Sequence, residues 1–237
     1  MEIKILHLYY DLLNLYGEHG NVKILKKRLT DNGFSVSVDK KTIGDDVDLD
    51  RYDFVYMGSG TESKLYRCAE HFMTLKEQVE SFVSGGKILL STGVSCELLG
   101  RSITSGNGEK IPCSGLFEFE TEHSFSVRKT GDAICSCSFI NEKIVGFINS
   151  CSTVMGLNEP MFTFELGGNG AKTDGVRKNN AFGTHLTGPL LVKNPYFLEY
   201  MVGIICDKFN VTKTQVDEGN YQYQSYRITL AELMRDR

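Results

Sequence analysis

The sequence predicts an α/β protein with three layers: a largely parallel sheet, helices on both faces of that sheet, and an antiparallel extension. Two observations favour this fold. Before residue 100, short apolar strands alternate with amphipathic helices, an order typical of parallel strands joined by helical crossovers. Beyond Gly100, short alternating segments lie between turn residues and indicate antiparallel strands. We expect one main domain over residues 1–209 and a polar tail over residues 210–237.

The elements of the first hundred residues follow from apolar runs and their flanking turn residues. Four strands are predicted from apolar or alternating runs, over Ile3–Tyr9, Phe34–Val38, Phe54–Met57 and Ile88–Leu90. We expect a first helix that Asn21 caps and Asn32-Gly33 ends, and a second helix over Leu65–Val83. After the fourth strand, the chain turns into a helical segment at Gly93, which is the geometry of a nucleophile elbow. Glycine offers no nucleophile there.

The second part of the chain is predicted to be mostly β-structure. Its expected strands are Phe117–Glu120, His123–Val127, Ala133–Ile140, Lys143–Ile148 and Ala181–Leu186. Residues 167–175 form a predicted glycine-rich loop, and Pro195–Phe209 is a predicted helix. The polar tail is expected to end in a short amphipathic helix, whose apolar residues are Ile228, Leu230, Leu233 and Met234.

Composition and charge argue against several classes of protein. The chain has 237 residues with 26 basic and 30 acidic side chains, a net charge of −4, and no basic face suited to nucleic acid. No apolar run approaches the ~18 residues that span a bilayer, and the amino-terminal segment does not resemble a signal peptide, so we expect a cytoplasmic protein without membrane insertion. Seven cysteines without a CxxC pair favour neither a disulfide framework nor a zinc site. We expect no metal and no cofactor.

Two glycine-bearing stretches are similar to phosphate loops. They are GSGTESK over residues 58–64 and GGNGAKT over residues 167–173, and neither has the spacing of a Walker A motif. The turn Gly58-Ser59-Gly60 has a second interpretation, because backbone N–H groups after a strand can face an anion and form an oxyanion hole. A tight turn without chemistry explains the same three residues equally well.

Three blocks of the sequence resemble one family. They are LYYDLLNLYGEHGN (residues 8–21), CELLG (residues 96–100) and GTHLTGPLLVKNP (residues 183–195). In this order and spacing they are similar to the GatD-like glutaminase subunits of lipid II isoglutaminyl synthases, in the cobyric-acid-synthase-like branch of the class I glutamine amidotransferases. The resemblance extends over roughly residues 3–205.

The resemblance implies both a fold and a reaction. The implied fold is a three-layer α/β structure in which an elbow cysteine attacks the side-chain amide of glutamine. A histidine assists proton transfer, a thioester forms, and the released ammonia passes to a partner ligase. That partner is a MurT-like subunit of the Mur-ligase family, which amidates the D-glutamate of lipid II.

The chain departs from the family pattern at the site of this chemistry. Gly93 occupies the position of the family's cysteine, and Thr187 occupies the position of its histidine. Glu97 replaces a glutamine, Val94-Ser95 replaces a pair of glycines, and residues 147–150 (FINS) replace F-E-N-H. Because the departures concentrate at the site while the scaffold blocks are kept, the sequence indicates a glutaminase-deficient member that acts as a partner or scaffold subunit.

Two alternatives to this interpretation stay open. In the first, an active glutaminase uses the relocated pair Cys96 and His185, although each lies several ångströms from its family position and a packed Cys96 is the simpler expectation. In the second, the chain binds glutamine or a related amino acid in the old pocket around Gly58–Gly60 and Val94. Arg128 or Glu97 would then be the polar anchor.

Overall fold

The computed structural model describes residues 1–235, which form 13 β-strands and 6 α-helices. The strands are β1 (Glu2–Leu8), β2 (Ser35–Lys41), β3 (Phe54–Met57), β4 (Ile88–Thr92), β5 (Ser102–Thr104), β6 (Lys110–Pro112), β7 (Glu120–His123), β8 (Lys129–Ser136), β9 (Ile144–Ser150), β10 (Ser152–Met155), β11 (Pro160–Leu166), β12 (Thr173–Lys178) and β13 (Ala181–Thr184). The helices are α1 (His19–Asp31), α2 (Glu62–Thr74), α3 (Lys76–Ser84), α4 (Leu190–Lys193), α5 (Pro195–Lys208) and α6 (Tyr221–Arg235). Short 3₁₀ segments cover Leu49–Arg51, Gly93–Leu99 and Gly168–Gly170.

The main sheet has nine strands in the order β2-β1-β3-β4-β13-β12-β11-β8-β9. The five strands from β2 to β13 are parallel. The four strands from β12 to β9 continue the sheet in antiparallel pairs. The predicted parallel sheet with an antiparallel extension is therefore confirmed, and β4 lies at its centre, between β3 and β13.

Alternating side chains of the parallel strands fill two separate cores. Ile3, Ile5 and Leu90 face the helices α1 and α5. Leu6 and Leu89 face α2 and α3 on the other side. A sheet that is buried on both faces needs strands that are apolar throughout, which explains the uninterrupted apolar run of β4.

Two predicted helix features were wrong. The helix predicted over Leu65–Val83 is two helices, α2 and α3, which meet at Leu75. The side chain of Thr74 there donates to the carbonyl of His71, a local bond that competes with helix continuation. Asn21 lies inside α1 rather than at its cap, and its side chain donates to Tyr56 Oη at 2.7 Å.

The second part of the chain contains more sheet than the sequence predicted. A separate four-stranded sheet has the order β10-β7-β5-β6, and its strands are only three or four residues long. The strands predicted over Phe117–Glu120 and His123–Val127 are replaced by the single strand β7. β11 was not predicted, and the predicted glycine-rich loop ends earlier, where β12 begins.

The tail after residue 209 packs on the rest of the chain. Tyr226, Leu230 and Leu233 of α6 contact Ile134 of β8 and Val145 of β9, whereas Ile228 and Met234, also predicted for the apolar face, are exposed. Arg28 of α1 binds Glu199 through both carboxylate oxygens, at 2.5 and 3.0 Å, and also donates to Thr214. The predicted division at residue 209 stays a prediction. No helix within residues 1–235 has the length and apolar character needed to cross a membrane.

Candidate functional site

The predicted elbow lies where β4 ends. Gly93 follows Thr92 directly and has a φ of +65°, a left-handed conformation that glycine adopts without strain. Its N–H donates to the carbonyl of Leu186, in the connection after β13. The chain thus keeps the sharp turn between strand and helix, at the carboxyl edge of a parallel sheet, where ligands of such sheets bind.

Ser59 fills the space beside the elbow. A Cβ atom built on Gly93 would lie less than 3.0 Å from both Cβ and Oγ of Ser59, a separation that real Cβ atoms do not show. The Ser59 hydroxyl accepts a hydrogen bond from the N–H of Val94 at 3.3 Å. In a nucleophile elbow, the N–H of the residue after the nucleophile belongs to the oxyanion hole. Here the Ser59 hydroxyl binds that N–H. The Ser59 side chain also fills the space that a side chain at position 93 would need.

The family's histidine position, 187, is also packed against its surroundings. Thr187 is buried and forms an isolated antiparallel bridge with Phe147, donating its N–H to the Phe147 carbonyl at 2.9 Å. Among residues 1–235, its hydroxyl has no hydrogen-bond partner. Ser59, Gly93, Val94 and Thr187 together are called the elbow region below.

The glycines on both sides of Ser59 have a packing role. A Cβ on Gly58 would come within 3.0 Å of the Leu13 carbonyl and the Glu18 side chain, and one on Gly60 would come as close to the Leu12 carbonyl. The segment between β1 and α1 therefore presses directly against this turn. Close backbone approach explains these two glycines without an anion.

Glu18 anchors the same segment beneath the elbow. Its Oε2 atom accepts hydrogen bonds from Tyr56 at 2.5 Å and from Thr92 at 3.0 Å. Burial raises the pKa of the Glu18 carboxyl above its usual value. The block LYYDLLNLYGEHGN thus supports the end of β4 from below, whether or not a nucleophile follows it.

A second polar cluster surrounds Glu97, on the far side of the 3₁₀ segment. The Glu97 side chain is fully buried. Its Oε2 atom accepts from Thr121 Oγ1 at 3.0 Å and lies 2.6 Å from His123 Nε2. Its Oε1 atom accepts from Ser152 Oγ at 2.5 Å and lies 3.5 Å from His185 Nε2. The carboxylate is therefore enclosed by protein donors.

His185 connects this cluster to Asp174. The Nδ1 atom of His185 lies 2.7 Å from Asp174 Oδ1, and its backbone N–H donates to Asp174 Oδ2 at 3.0 Å. Thr184 Oγ1 donates to the same Oδ2 atom. On the other side of Glu97, Tyr66 Oη lies 2.7 Å from His123 Nδ1. We call Glu97, His123, His185, Asp174 and the hydroxyls that bind them the Glu97 network.

The ionisable groups of the Glu97 network shift one another's pKa values. Burial alone would raise the pKa of Glu97, but hydrogen bonds from His123 and His185 outweigh it and hold the pKa at about 2. Burial opposes a charged His185, yet the adjacent Cys96 sulfur and the Asp174 carboxylate raise its pKa well above the usual value. Asp174 is likewise buried, and His185 lowers its pKa. His185 therefore lies between two carboxylates, which favour the charged form of its ring.

The structure brings Cys96 and His185 together, but not as a nucleophile and its base. The Cys96 sulfur lies 3.5 Å from both ring nitrogens of His185. A sulfur aligned with the lone pair of one nitrogen would lie clearly farther from the other. Burial raises the pKa of the Cys96 thiol to about 11 despite the imidazole. Both ring nitrogens also face carboxylates, so neither is free to accept the thiol proton.

Arg128 belongs to neither cluster. Its guanidinium donates to Glu62 Oε1 at 2.6 Å and to Asn149 Oδ1 at 2.9 Å, near the first turn of α2. Its side chain is 45% exposed, so it remains accessible to solvent. The predicted site residues therefore separate into the elbow region, the Glu97 network and this surface ion pair.

The sequence interpretation missed every member of the Glu97 network except Glu97 and His185, including Asp174, Thr121 and His123. Asp174 lies inside the stretch predicted as a loop, and nothing in its local sequence marked it as the partner of His185. Thr121 and His123 were placed in or near strands without a role. Their spacing of two residues was the available signal, since it puts both side chains on the same face of β7, towards Glu97.

Comparison with known proteins identifies relatives over most of the chain. The chain is 27% identical over 198 residues to the GatD subunit of the glutamine-hydrolysing lipid II isoglutaminyl synthase of Streptococcus pneumoniae (strain ATCC BAA-255 / R6), covering 81% of this chain and 76% of that protein. It is 26% identical over 210 residues to the corresponding subunit of Staphylococcus aureus (strain N315), covering 87% and 86%.

Solved structures agree on the fold. PurLQS from Thermotoga maritima matches with a TM-score of 0.55 and 16% identity, over 89% of this chain and 99% of that chain. A glutamine amidotransferase from the same organism matches with a TM-score of 0.54 and 11% identity, over 98% and 95%. The model of the CobB/CobQ-like glutamine amidotransferase domain matches residues 4–195. The chain belongs to the CobB/CobQ-like glutamine amidotransferase family.

Proposed function

We propose that this chain is a glutaminase-deficient amidotransferase-like subunit in the amidation of a cell-wall precursor. Its partner in this proposal is a MurT-like ligase subunit, and both act in the cytoplasm. The observation that carries the proposal is position 93, where glycine offers no nucleophile and Ser59 occupies the space that a side chain would need. The similarity of the chain to two GatD subunits supports the assignment to cell-wall precursor amidation.

An active glutaminase that uses Cys96 and His185 is the second candidate. The 3.5 Å contact between these residues and the 2.7 Å contact of His185 with Asp174 favour it, because a thiol, an imidazole and a carboxylate are the parts of a catalytic triad. Three observations oppose it. The Cys96 sulfur is not aligned with either ring nitrogen of His185, burial raises the pKa of the Cys96 thiol, and both ring nitrogens face carboxylates. The Val94 N–H is also bound to Ser59 Oγ.

An amino-acid-binding module is the third candidate. Glu97 is enclosed by its own network, which leaves Arg128 as the anchor for a carboxylate. A ligand there would have to compete with Glu62 for the guanidinium. This candidate therefore predicts that Glu62→Gln strengthens binding of glutamine and that Arg128→Ala abolishes it.

An ammonia-release assay with glutamine separates the first two candidates. The purified chain is measured alone and in the presence of a purified MurT-like subunit, with an intact GatD subunit as the positive control. We expect no ammonia above the buffer level from the chain in either condition. Ammonia release that Cys96→Ala and His185→Gln both abolish would instead establish the relocated pair.

The partner is tested separately by size-exclusion chromatography of the two subunits at equal concentrations. We expect one peak that contains both chains. Separate elution, together with an unchanged profile in the presence of ATP and glutamine, would contradict the subunit proposal while leaving the absence of glutaminase activity unaffected. Thermal shift with glutamine, on the parent and on Arg128→Ala, tests the third candidate.

A further inference from the structure

A cavity of about 620 Å³ is bordered by Ser152, Asp174 and His185 of the Glu97 network. Its lining includes the edge of β10 with the residues before it, the loop over residues 168–173, and the side chains of Lys129, Lys172 and His185. We call it the lysine cleft. None of Ser59, Gly93, Val94 and Thr187 lines it, so it is separate from the position where the family carries out its chemistry.

The lysine cleft is lined by more cations than anions. Lys129 and Lys172 are its two lysines, and the pKa of His185, which also lines the cleft, is raised by the neighbouring Cys96 sulfur and the Asp174 carboxylate. Asp174 is the one carboxylate of the lining, and both its oxygens already accept hydrogen bonds from His185 and Thr184. The positive charge of the two lysines is therefore not neutralised within the cleft.

Hydroxyl groups add hydrogen-bond donors to the same space. Ser150, Thr153 and Thr173 line the cleft. Ser150 Oγ accepts the N–H of Ser152 at 2.9 Å, which leaves the Ser150 hydroxyl hydrogen free to donate. Lysines and hydroxyls that converge without a free carboxylate form a site for an oxyanion.

The cleft also has an apolar extension. Val154 and Leu157 line both the cleft and a small recess that reaches Cys96, with Val176 and Phe119 on its other sides. An inorganic ion would leave this apolar surface unfilled. Cavities of this size and mixed lining are typical of sites for small organic ligands.

The loop GGNGAKT lines the cleft, but its structure differs from that of a phosphate loop. It follows β11 and leads into β12, so that no helix begins at its end. Gly168 and Gly170 have φ values of +75° and +92°, left-handed conformations that glycine adopts without strain, and both line the cleft. An anion here is bound by side-chain cations next to an open backbone, without a helix dipole.

We propose that the lysine cleft is a second ligand site, for a small organic anion with a phosphate or carboxylate group and an apolar part. The anionic group lies between Lys129 and Lys172, and the apolar part packs against Val154 and Leu157 in the wall of the cleft. The proposal does not depend on glutaminase activity or on a ligase partner.

Titration followed by NMR tests the proposal. Amide resonances of glycines 168 and 170 are followed in the full chain during addition of inorganic phosphate and, separately, butyrate, at constant ionic strength set with chloride. We expect saturable shifts with at least one of the two probes. Tighter binding of butyrate assigns the site to carboxylates with an apolar chain, and tighter binding of phosphate assigns it to phosphate esters.

Matched lysine variants show whether the shifts come from the cleft. Lys129→Ala and Lys172→Ala are each expected to weaken binding at least threefold, and the double variant is expected to abolish saturation. Lys178→Ala is the control, because Lys178 is an exposed lysine at the far end of β12 that does not line the cleft. Melting curves verify that each variant is folded. Shifts that grow linearly with both probes, or that persist in the double variant, would overturn the proposal.

Discussion

The elbow region and the Glu97 network flank the same seven-residue segment, Gly93–Leu99, and they differ in how their polar groups are satisfied. In the elbow region, position 93 has no side chain and the Thr187 hydroxyl has no partner within residues 1–235. In the Glu97 network, both carboxylate oxygens of Glu97 contact two partners each. The comparison indicates that stabilising interactions have concentrated around Glu97 rather than beside the elbow.

The two regions also respond differently to change. A catalytic site stores strain and unpaired groups because the reaction uses them, whereas a structural network loses stability when any member is removed. In the elbow region, removing the unpaired hydroxyl of Thr187 is expected to be tolerated or even stabilising, whereas a side chain added at Gly93 is expected to cost stability because of Ser59. The Glu97 network is expected to be sensitive. Five predictions test this contrast.

The largest expected effect is the gain of a reactive thiol in the elbow region. The triple variant Ser59→Gly, Gly93→Cys, Thr187→His removes the overlapping side chain, frees the Val94 N–H and restores the family's nucleophile and histidine. We expect a glutamine-mimicking electrophile to label the thiol at position 93, as measured by intact-protein and peptide mass spectrometry. General-base assistance should make this labelling about a hundredfold faster than that of a comparable thiol without a base.

The double variant that keeps Ser59 is the matched control for this experiment. It should label much more slowly, because the Ser59 side chain overlaps the new Cβ atom. Equal labelling of the two variants would show that Ser59 does not obstruct the site. Rapid labelling of Cys96 in the unmodified chain would contradict the whole contrast between the two regions.

Glu97→Gln is expected to cause the largest loss of stability. The substitution keeps the volume and returns the family's residue type, but it removes the charge that faces His123 and His185. Breaking a buried ion pair by changing one partner costs about 3–5 kcal/mol. Urea unfolding at pH 7 measures the loss. Glu120→Gln, at an exposed pair with Lys110, should leave the free energy of unfolding nearly unchanged.

Gly93→Ala tests the packing of the elbow region by a double-mutant cycle with Ser59→Gly. We expect a loss of about 1–3 kcal/mol from the left-handed backbone and the overlap with Ser59. In the Ser59→Gly background the overlap disappears, so the loss should be smaller by about 1 kcal/mol. Strictly additive unfolding free energies would mean that the backbone conformation alone sets the cost.

His185 is expected to make stability depend on pH. Its pKa in the folded chain is raised above the ordinary value of 6.5, so its contribution is complete below pH 6.5 and declines as the pH rises towards the folded-state value. The free energy of unfolding should therefore fall between pH 6.5 and 8, with a slope of up to about 1.4 kcal/mol per pH unit. In His185→Gln this slope should be absent over the same range. A parallel slope in both proteins would assign the dependence to other groups.

Thr187→Val has the smallest expected effect and the opposite sign. The substitution keeps the shape of the side chain and removes a buried hydroxyl that has no partner within residues 1–235. We expect a gain of about 1 kcal/mol in the free energy of unfolding. Thr121→Val is the control in the Glu97 network, where the hydroxyl donates to Glu97, and it should lose about the same amount. A loss in Thr187→Val would show that its hydroxyl is satisfied in solution.

Sequence patterns were sufficient to predict the parallel half of the main sheet. β3 and β4 begin as short apolar runs and β1 is mostly apolar, and the order of these strands along the chain limits the possible topologies. The position of the elbow at Gly93 followed from the same pattern. The small sheet of β5, β6, β7 and β10 was missed because its strands are three or four residues long and mostly polar. Their pairing depends on residues distant in sequence.

The contact between Cys96 and His185 could not be predicted from spacing alone. The sequence indicated an α-helix after Gly93, with Cys96 about 4.5 Å along its axis. The segment is a 3₁₀ helix, with three residues per turn and a rise of about 2.0 Å per residue, so that Cys96 lies one full turn beyond Gly93. His185 meets it there because β13 pairs directly with β4, a neighbour that local patterns do not reveal.

The order of strands in the main sheet also affects how the chain folds during its synthesis. β4 lies between β3 and β13, but all of residues 102–178 are synthesised between β4 and β13. At ~5–20 residues per second, a ribosome leaves one edge of the apolar run Ile88-Leu89-Leu90 without its final neighbour for several seconds. An open, apolar strand edge is a template for pairing with other chains. Newly made chains are therefore exposed to aggregation until β13 emerges from the ribosome.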